Sequence, residues 1–251
     1  MPTLLYHIYA TGHWMEITAQ VLGFSDIFDR ALVSVAGDPS GKAGAAAAGL
    51  ARCPVELHSI DAGLREPGSW NAHFLPEVLS RPSDTYFYCH SKGVTRQGNP
   101  FVEQWRDKMV YFLLERYADY VAPMLPDYGF VGIEKKPGRP GAGCHCTWYY
   151  AGNFWWMNPA RLDASLLKPL DTIAKKRRGR RHGQPRGSGR LRIFYNGQVL
   201  EAFPGMFPPE VGLCLYGTDF DLYRAGQPRS EYEQAGLCGP GCMHPMRPCG
   251  G

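Results

Sequence analysis

The sequence lacks any run of 18 apolar residues, so it predicts no membrane-spanning helix. The opening MPTLLYHIYATGH lacks the basic region and small-residue cleavage site of a secretory signal, and we expect it to form the first strand. With 8 cysteines in 251 residues, the chain has too few for a disulfide scaffold. Together with 44% hydrophobic and 20% charged residues, these absences predict a soluble globular protein of a reducing, cytoplasmic compartment.

Acidic residues are absent from the stretch between Lys175 and Arg192, which holds nine lysines and arginines and which we call the basic segment. Removing these nine from the total of 27 leaves 18 basic against 23 acidic residues, so the net charge of +4 becomes −5. Its low complexity predicts a flexible insert at 174–190. Such a segment suits an anionic membrane surface or another polyanion, nucleic acid included, without sequence preference.

The C-terminal residues 228–251 lack hydrophobic periodicity and predict an irregular, cysteine-rich tail after a single domain at 1–227. Cys238, Cys242, His244 and Cys249 supply four zinc-ligand types within this tail, so a zinc site is an alternative. The spacing is irregular and matches no regular zinc module. We therefore expect no metal in this protein.

The first part of the chain alternates strand and helix patterns, which predicts an α/β fold with a mostly parallel sheet flanked by helices. The strongest helix pattern is VEQWRDKMVYFLLERYADYVAPML, and Asn158-Pro159 is typical of a helix start. The remaining helices are predicted to end near 22 and to span 42–52 and 71–79. The strands are predicted at 4–10, 31–38, 55–60, within DTYFYCHSKG, and at 128–134.

Polar side chains follow three of the predicted strands. Thr11 follows the first, Asp38 the second, and His90, Ser91 and Lys92 the fourth. Ligands of open parallel sheets bind beyond the carboxyl ends of the strands, so these groups predict a site for a diphosphate. A surface turn with a solvated lysine is the alternative for the last three. Asp38 suits a ribose or base contact, or equally the opening of the turn GDPSG.

Aromatic residues dominate the stretch YYAGNFWWMNPARL. Gly152 and Asn153 lie between aromatic pairs, and Trp155 and Trp156 follow them. Aromatic faces and an amide are how proteins hold a sugar, so these four residues are predicted to bind one. The alternative is that the rings belong to the core. Consecutive residues of a strand point to opposite faces, so we expect at least one ring to line a cleft or a second layer.

The segments YFYCHSKGVTR, VEQWRDKMVYFLLERY, YGFVGIE and YYAGNFWWMNPARL carry a family resemblance over roughly residues 1–165. They resemble a family of bacterial, algal and viral glycosyltransferase-like proteins related to the rhamnan synthesis protein F type. The resemblance implies a GT-A-like, Rossmann-type fold with a nucleotide-sugar half and an acceptor half. It also implies transfer of a sugar from a nucleotide-diphosphate donor to a glycan or other hydroxyl acceptor, as in polysaccharide biosynthesis.

The resemblance also bears on the metal. Many GT-A enzymes place Asp-x-Asp, a metal-binding motif, where this chain has His90-Ser91-Lys92. A cation fixed on the protein can stabilise the leaving diphosphate in the metal's place. We therefore predict a metal-independent enzyme without a cofactor, with Lys92, His90, Arg96 and Arg106 on the diphosphate. For Arg106, a solvated helical arginine is an equal alternative.

The acceptor hydroxyl of an inverting transferase needs a base. The resemblance favours Glu201, because the related pattern has an acidic residue in a similar late segment. Glu134 and Asp219 are further candidates, and His90 is placed among the catalytic residues. Two other function classes stay open. One is an inactive relative that binds glycans through Gly152, Asn153 and the tryptophans, and the other is a nucleic-acid binder acting through the basic segment.

Overall fold

The computed structural model describes residues 1–91, 94, 98–137, 148–170 and 203–215. Outside these residues lie Lys92, Arg96, Glu201, Asp219, the basic segment and the cysteine-rich tail, so predictions about them stay predictions. Within the described ranges, none of the helices combines the length and the apolar character needed to cross a bilayer.

The first half of the chain alternates strands and helices, as the hydrophobic pattern predicts. A turn of π-helix at Trp70–Phe74 joins α3 to α4, so the helix expected at 71–79 begins earlier, at Arg65. A 3-10 turn at Ser25–Ile27 precedes β2. The elements are β1 Pro2–Tyr9, α1 Trp14–Leu22, β2 Arg30–Ala36, α2 Lys42–Ala48, β3 Val55–Ile60, α3 Arg65–Ser69, α4 Leu75–Ser80 and β4 Thr85–His90.

The second half opens with the long helix, α5, whose first turn is capped by Asn99. The Asn99 side chain accepts hydrogen bonds from the backbone of Phe101 and Val102 at 3.1 and 3.3 Å, which satisfies donors that have no partner inside the helix. After Val110 the helix widens into two π-helical turns, Tyr111–Glu115 and Tyr117–Val121. The elements are α5 Pro100–Val110, β5 Phe130–Gly132, β6 Lys135–Pro137, β7 Trp148–Tyr150, β8 Trp155–Met157 and β9 Gly212–Cys214.

Short 3-10 turns complete the described segments. Asn158 caps the first of them, because its side chain accepts a hydrogen bond from the Ala160 backbone at 3.2 Å. This confirms the predicted cap, although Asn158 opens a single turn and not a longer helix. The turns span Pro159–Arg161, Ala164–Leu166, Pro204–Met206 and Pro209–Val211.

The seven-stranded sheet has the order β3-β2-β1-β4-β8-β5-β9. Strands β1 to β4 pair in parallel, β5 pairs in parallel with β9, and β8 runs antiparallel between β4 and β5. Strands β6 and β7 pair antiparallel in a separate two-stranded sheet. This mixed, mostly parallel sheet flanked by helices confirms the predicted fold class. The antiparallel β8 follows from no pattern in the sequence.

The sheet is buried on both faces by two hydrophobic layers. Alternate residues of each strand enter opposite layers, so Leu4, Tyr6 and Ile8 pack on one side while Leu5 packs on the other. The first layer includes residues of α1, α2 and α5. The second includes residues of the π-helical turn Trp70–Phe74, of α4, and the late residues Phe203 and Phe207.

Candidate functional site

A row of polar side chains interrupts the second hydrophobic layer at the carboxyl ends of three strands. His7 of β1 lies opposite Ser34 of β2 and opposite His90 of β4 in the parallel pairing. The strand period of two places these side chains on the same face as Leu5, Leu32 and Tyr88. We call Ser34, His7 and His90 the polar row. Ser34 and His7 are buried, and the side chain of His90 is 12% exposed.

Helix α3 covers the polar row with two side chains, three residues apart and therefore on one helix face. Ser69 Oγ lies 2.7 Å from both His7 Nδ1 and Ser34 Oγ. Glu66 Oε1 lies 2.8 Å from His90 Nδ1. The sequence reasoning missed Glu66, Ser69, His7 and Ser34. The one available signal was a histidine and a serine at the core-facing positions of apolar strands.

Among the described residues, the Glu66 carboxylate accepts hydrogen bonds from two side chains and lies against a third, His90. Asn153 Nδ2 donates to Oε2 at 2.7 Å and the Tyr88 hydroxyl donates to Oε2 at 3.3 Å. Burial and the charge of Glu66 raise the pKa of Tyr88 well above its usual value, so this phenol stays protonated and donates. Glu66 therefore ties the end of β4 to the segment that precedes β8.

His7 and His90 differ in their surroundings although they face each other across two strands. Burial lowers the pKa of His7 from 6.5 to about 4, against the opposing effect of the Glu66 charge, so His7 is neutral at pH 7. His90 has the carboxylate at Nδ1 instead. Its Nε2 atom is buried and has no hydrogen-bond partner among the residues that the structure describes.

The loops after β1 and β4 interlock beside the polar row. Ser91 Oγ accepts a hydrogen bond from the Tyr9 backbone at 2.9 Å, and the Ser91 backbone donates to the carbonyl of His7 at 3.0 Å. Gly12, at φ +56, packs so closely that a Cβ there would lie 2.3 Å from the Val94 carbonyl oxygen. Thr11 is exposed beside it. The sequence-predicted Thr11, His90 and Ser91 are thus brought together.

This meeting place is the point where the strand order reverses. From β1 the chain builds outward through β2 to β3, and it then returns to place β4 on the other side of β1. Ligands of open α/β sheets bind in the crevice at such a point.

Asp38 follows β2, and its carboxylate forms hydrogen bonds within the turn that this residue opens. Its carboxylate accepts hydrogen bonds from the Gly44 backbone at 2.9 Å and from Ser40 Oγ at 3.0 Å. The bond from Gly44 is the main reason that the pKa of Asp38 lies below its usual value. These contacts match the turn interpretation of GDPSG, and the structure adds no contact in favour of the ribose role.

Arg106 and Glu134 are both engaged within the fold. Arg106 Nε donates to Gln20 Oε1 at 2.7 Å, which joins α5 to α1. Glu134 is 1% exposed, adopts a left-handed backbone conformation at φ +52, and pairs with buried Lys108 at 2.8 Å. The Lys108 ammonium group already occupies Oε1 of this carboxylate, so the structure adds no support for Glu134 as the base.

The predicted sugar-binding residues form core and not an exposed surface. Trp155 and Trp156 are both fully buried, one in each hydrophobic layer, because β8 lies inside a sheet covered on both faces. Asn153 is fully buried at φ +62 between Glu66 and Trp155 Nε1. A Cβ at Gly152 would lie 2.4 Å from Met109 Sδ of α5. None of the four offers a face on which a sugar could stack.

Among the described residues, no group of three or more His, Cys, Asp and Glu side chains is arranged to hold a metal ion. The chain matches no protein-family model and no curated protein. Among solved structures it is similar to the crystal structure of 4-diphosphocytidyl-2C-methyl-D-erythritol synthase. The TM-score is 0.35 at 13% identity, over 83% of this chain and 93% of that chain, and a similarity this low carries no functional argument.

Proposed function

We propose that this protein is a GT-A-like glycosyltransferase that moves a sugar from a nucleotide-diphosphate donor to a glycan or other hydroxyl acceptor. The observation that carries the proposal is the interlocking of the loops after β1 and β4 beside His90, at the point where the strand order reverses. This is where an α/β sheet binds a nucleotide ligand. His90 and Ser91 lie there too, and they open the His-Ser-Lys-Gly motif that carries the family resemblance.

In this proposal the diphosphate is held by cationic side chains and needs no divalent metal. In the sequence, Lys92 comes two residues after the end of β4 and Arg96 four residues after Lys92. Positive charge aimed at the oxygen on which negative charge develops is what a leaving diphosphate requires. The basic segment is then an accessory region that meets an anionic membrane surface or a polyanion near the acceptor.

The glycan-binding alternative loses its main support, because the tryptophans it depends on are fully buried. The nucleic-acid alternative rests on the basic segment alone. Deleting that segment separates the two remaining classes: a transferase keeps its donor binding, whereas a nucleic-acid binder loses its only proposed contact.

The first test measures binding of UDP, GDP, dTDP and their sugar conjugates. The readout is the rise in the thermal unfolding midpoint, Tm, recorded once in EDTA and once in Mn²⁺. At a ligand concentration of 100 Kd, binding stabilises the native state by about 2.7 kcal/mol. We expect one nucleotide to raise Tm in EDTA for the wild type and for Lys168→Ala, which removes an exposed lysine elsewhere, but not for Lys92→Ala. If no nucleotide raises Tm in either medium, the proposed function is wrong.

A further inference from the structure

The tautomer of the neutral His90 ring follows from its contact with Glu66. Asn153 Nδ2 and the Tyr88 hydroxyl are donors, so the Glu66 carboxylate acts as the acceptor in both contacts. His90 Nδ1 lies 2.8 Å from Oε1 of this carboxylate, and a proton on Nδ1 makes that contact favourable because two facing lone pairs would repel each other. In the neutral ring this leaves the lone pair on Nε2, since the contact at one ring nitrogen sets the role of the other.

In this tautomer, His90 Nε2 is the ring nitrogen that can accept a proton. It is buried and has no hydrogen-bond partner in the described ranges, whereas most buried polar atoms have one. The atom belongs to the residue that ends β4, beside the interlocked loops. A carboxylate, an imidazole and an unsatisfied basic nitrogen in this order are the parts of an oriented general base.

We propose that Glu66 is a positioning residue that holds His90 as the general base of the transfer step. The inference rests on the proposed function and names a base that the sequence does not favour. The acceptor O–H bond breaks and its proton moves to His90 Nε2. The oxygen uses the freed electron pair to bond to the anomeric carbon, and the bond from that carbon to the phosphate oxygen breaks. The diphosphate leaves with the second electron pair.

Glu66 contributes to this step by charge as well as by orientation. When Nε2 takes the proton, the imidazolium lies 2.8 Å from a carboxylate that two further donors keep in place. His7, directly opposite, is neutral at pH 7 and adds no competing positive charge. His90 later returns the proton to solvent. Lys92 and the neighbouring cations then serve the diphosphate, which divides the work between proton transfer and leaving-group stabilisation.

The kinetic test uses Glu66→Gln, which keeps the side-chain shape and removes the charge. The probe is the nucleotide sugar that gives the largest Tm shift, with water or a methyl glycoside as acceptor, and the readout is release of nucleoside diphosphate. We expect kcat to fall about 10²- to 10⁴-fold, the usual contribution of a positioned base, with the KM for the donor changed less than about threefold. Full activity in a folded Glu66→Gln protein would overturn the inference.

A matched control comes from a second histidine–glutamate pair, on the edge strand β3. His58 Nε2 lies 3.1 Å from Glu56 Oε1. Glu56→Gln makes the same change in such a pair outside the site, so kcat should stay within about twofold of the wild type. An equal loss of kcat in Glu56→Gln and Glu66→Gln would mean that the effect is general and would overturn the inference.

A second measurement uses the wild-type protein, so it tests the inference even if Glu66→Gln fails to fold. Long-range ¹H–¹⁵N spectra of the wild type report which ring nitrogen of each histidine is protonated, and His90→Gln assigns the signal. We expect His90 to carry its proton on Nδ1 with a free Nε2. A proton on Nε2 with a bare Nδ1 contradicts the inference directly.

The outcomes separate this inference from the proposed function. If no nucleotide sugar binds or turns over in the wild type, the transferase proposal fails, and the positioning role fails with it. If the wild type transfers sugar while Glu66→Gln is fully active, the transferase stands and only the role of Glu66 and His90 is lost.

Discussion

His7 and His90 face each other across β1 and β4, yet α3 supplies a serine to one and a carboxylate to the other. Two identical side chains on neighbouring strands therefore have different chemistry. His7 is a neutral part of the buried layer, whereas His90 has a charged partner. The difference arises from the spacing of Glu66 and Ser69 on one short helix.

The buried His7 makes stability depend on pH. Its native pKa of about 4 lies below the unfolded value of 6.5, so between these values the unfolded chain binds more protons. The free energy of unfolding must therefore rise with pH through this window. The contribution of His7 between pH 5 and pH 7 is about 2 kcal/mol. Urea unfolding at both pH values tests this, and His7→Gln should remove that part of the difference.

Gly12 tests the interlocked loops. Gly12→Ala places a Cβ 2.3 Å from the Val94 carbonyl at a φ of +56, so the two loops must separate. We expect weaker nucleotide binding by about tenfold or more, with a loss of about 1 to 2 kcal/mol from the left-handed backbone. The matched control is Gly41→Ala, at φ +69 with nothing within 4 Å of the added Cβ. Equal nucleotide affinity in both variants would contradict a site at these loops.

Trp155 tests whether its ring belongs to the core. Because the side chain is fully buried, Trp155→Ala should lower the free energy of unfolding by about 3 to 5 kcal/mol. Phe101→Ala, at a position 58% exposed, should change it by less than about 0.5 kcal/mol. Urea unfolding measures both values. A stable Trp155→Ala protein that had lost only sugar binding would restore the sugar-binding interpretation of this segment.

Variants of the Lys108–Glu134 pair test whether Glu134, and not His90, is the general base. Lys108→Met leaves a buried carboxylate without its ammonium partner and should cost about 3 to 5 kcal/mol. Combining it with Glu134→Gln should recover most of that loss, which a double-variant cycle in urea measures. The double variant should also keep nucleotide-sugar turnover if His90 is the base. Abolished turnover in a stable double variant would favour Glu134 instead.

The sequence patterns predict the four parallel strands to within a few residues, because alternation and apolar runs are local properties. They also predict that Thr11, His90 and Ser91 lie together, since parallel strands end at one edge. Glu66 could not be found in this way. It lies in a five-residue helix with Pro67 and Gly68 inside it, which has no helical period, and its partners are remote in sequence.

The tryptophans show a different limit. Alternation correctly places Trp155 and Trp156 on opposite faces, but it does not say whether both faces are covered. That depends on α5 and on the late residues around Phe203, which reach the sheet through long-range packing. The antiparallel direction of β8 is likewise seen in its pairing with β4 and β5, which are remote in sequence, and not in a pattern of residues within the strand.

The shared carboxylate of Glu66 has a consequence for how this site can change over time. Three donors on two separate segments depend on it, so exchanging Glu66 alone leaves several buried groups without a partner. Variants at Glu66, His90, Tyr88 and Asn153 should therefore show strongly non-additive effects. A new specificity is more accessible through the loops after β1 and β4 than through this network, whose members must be exchanged together.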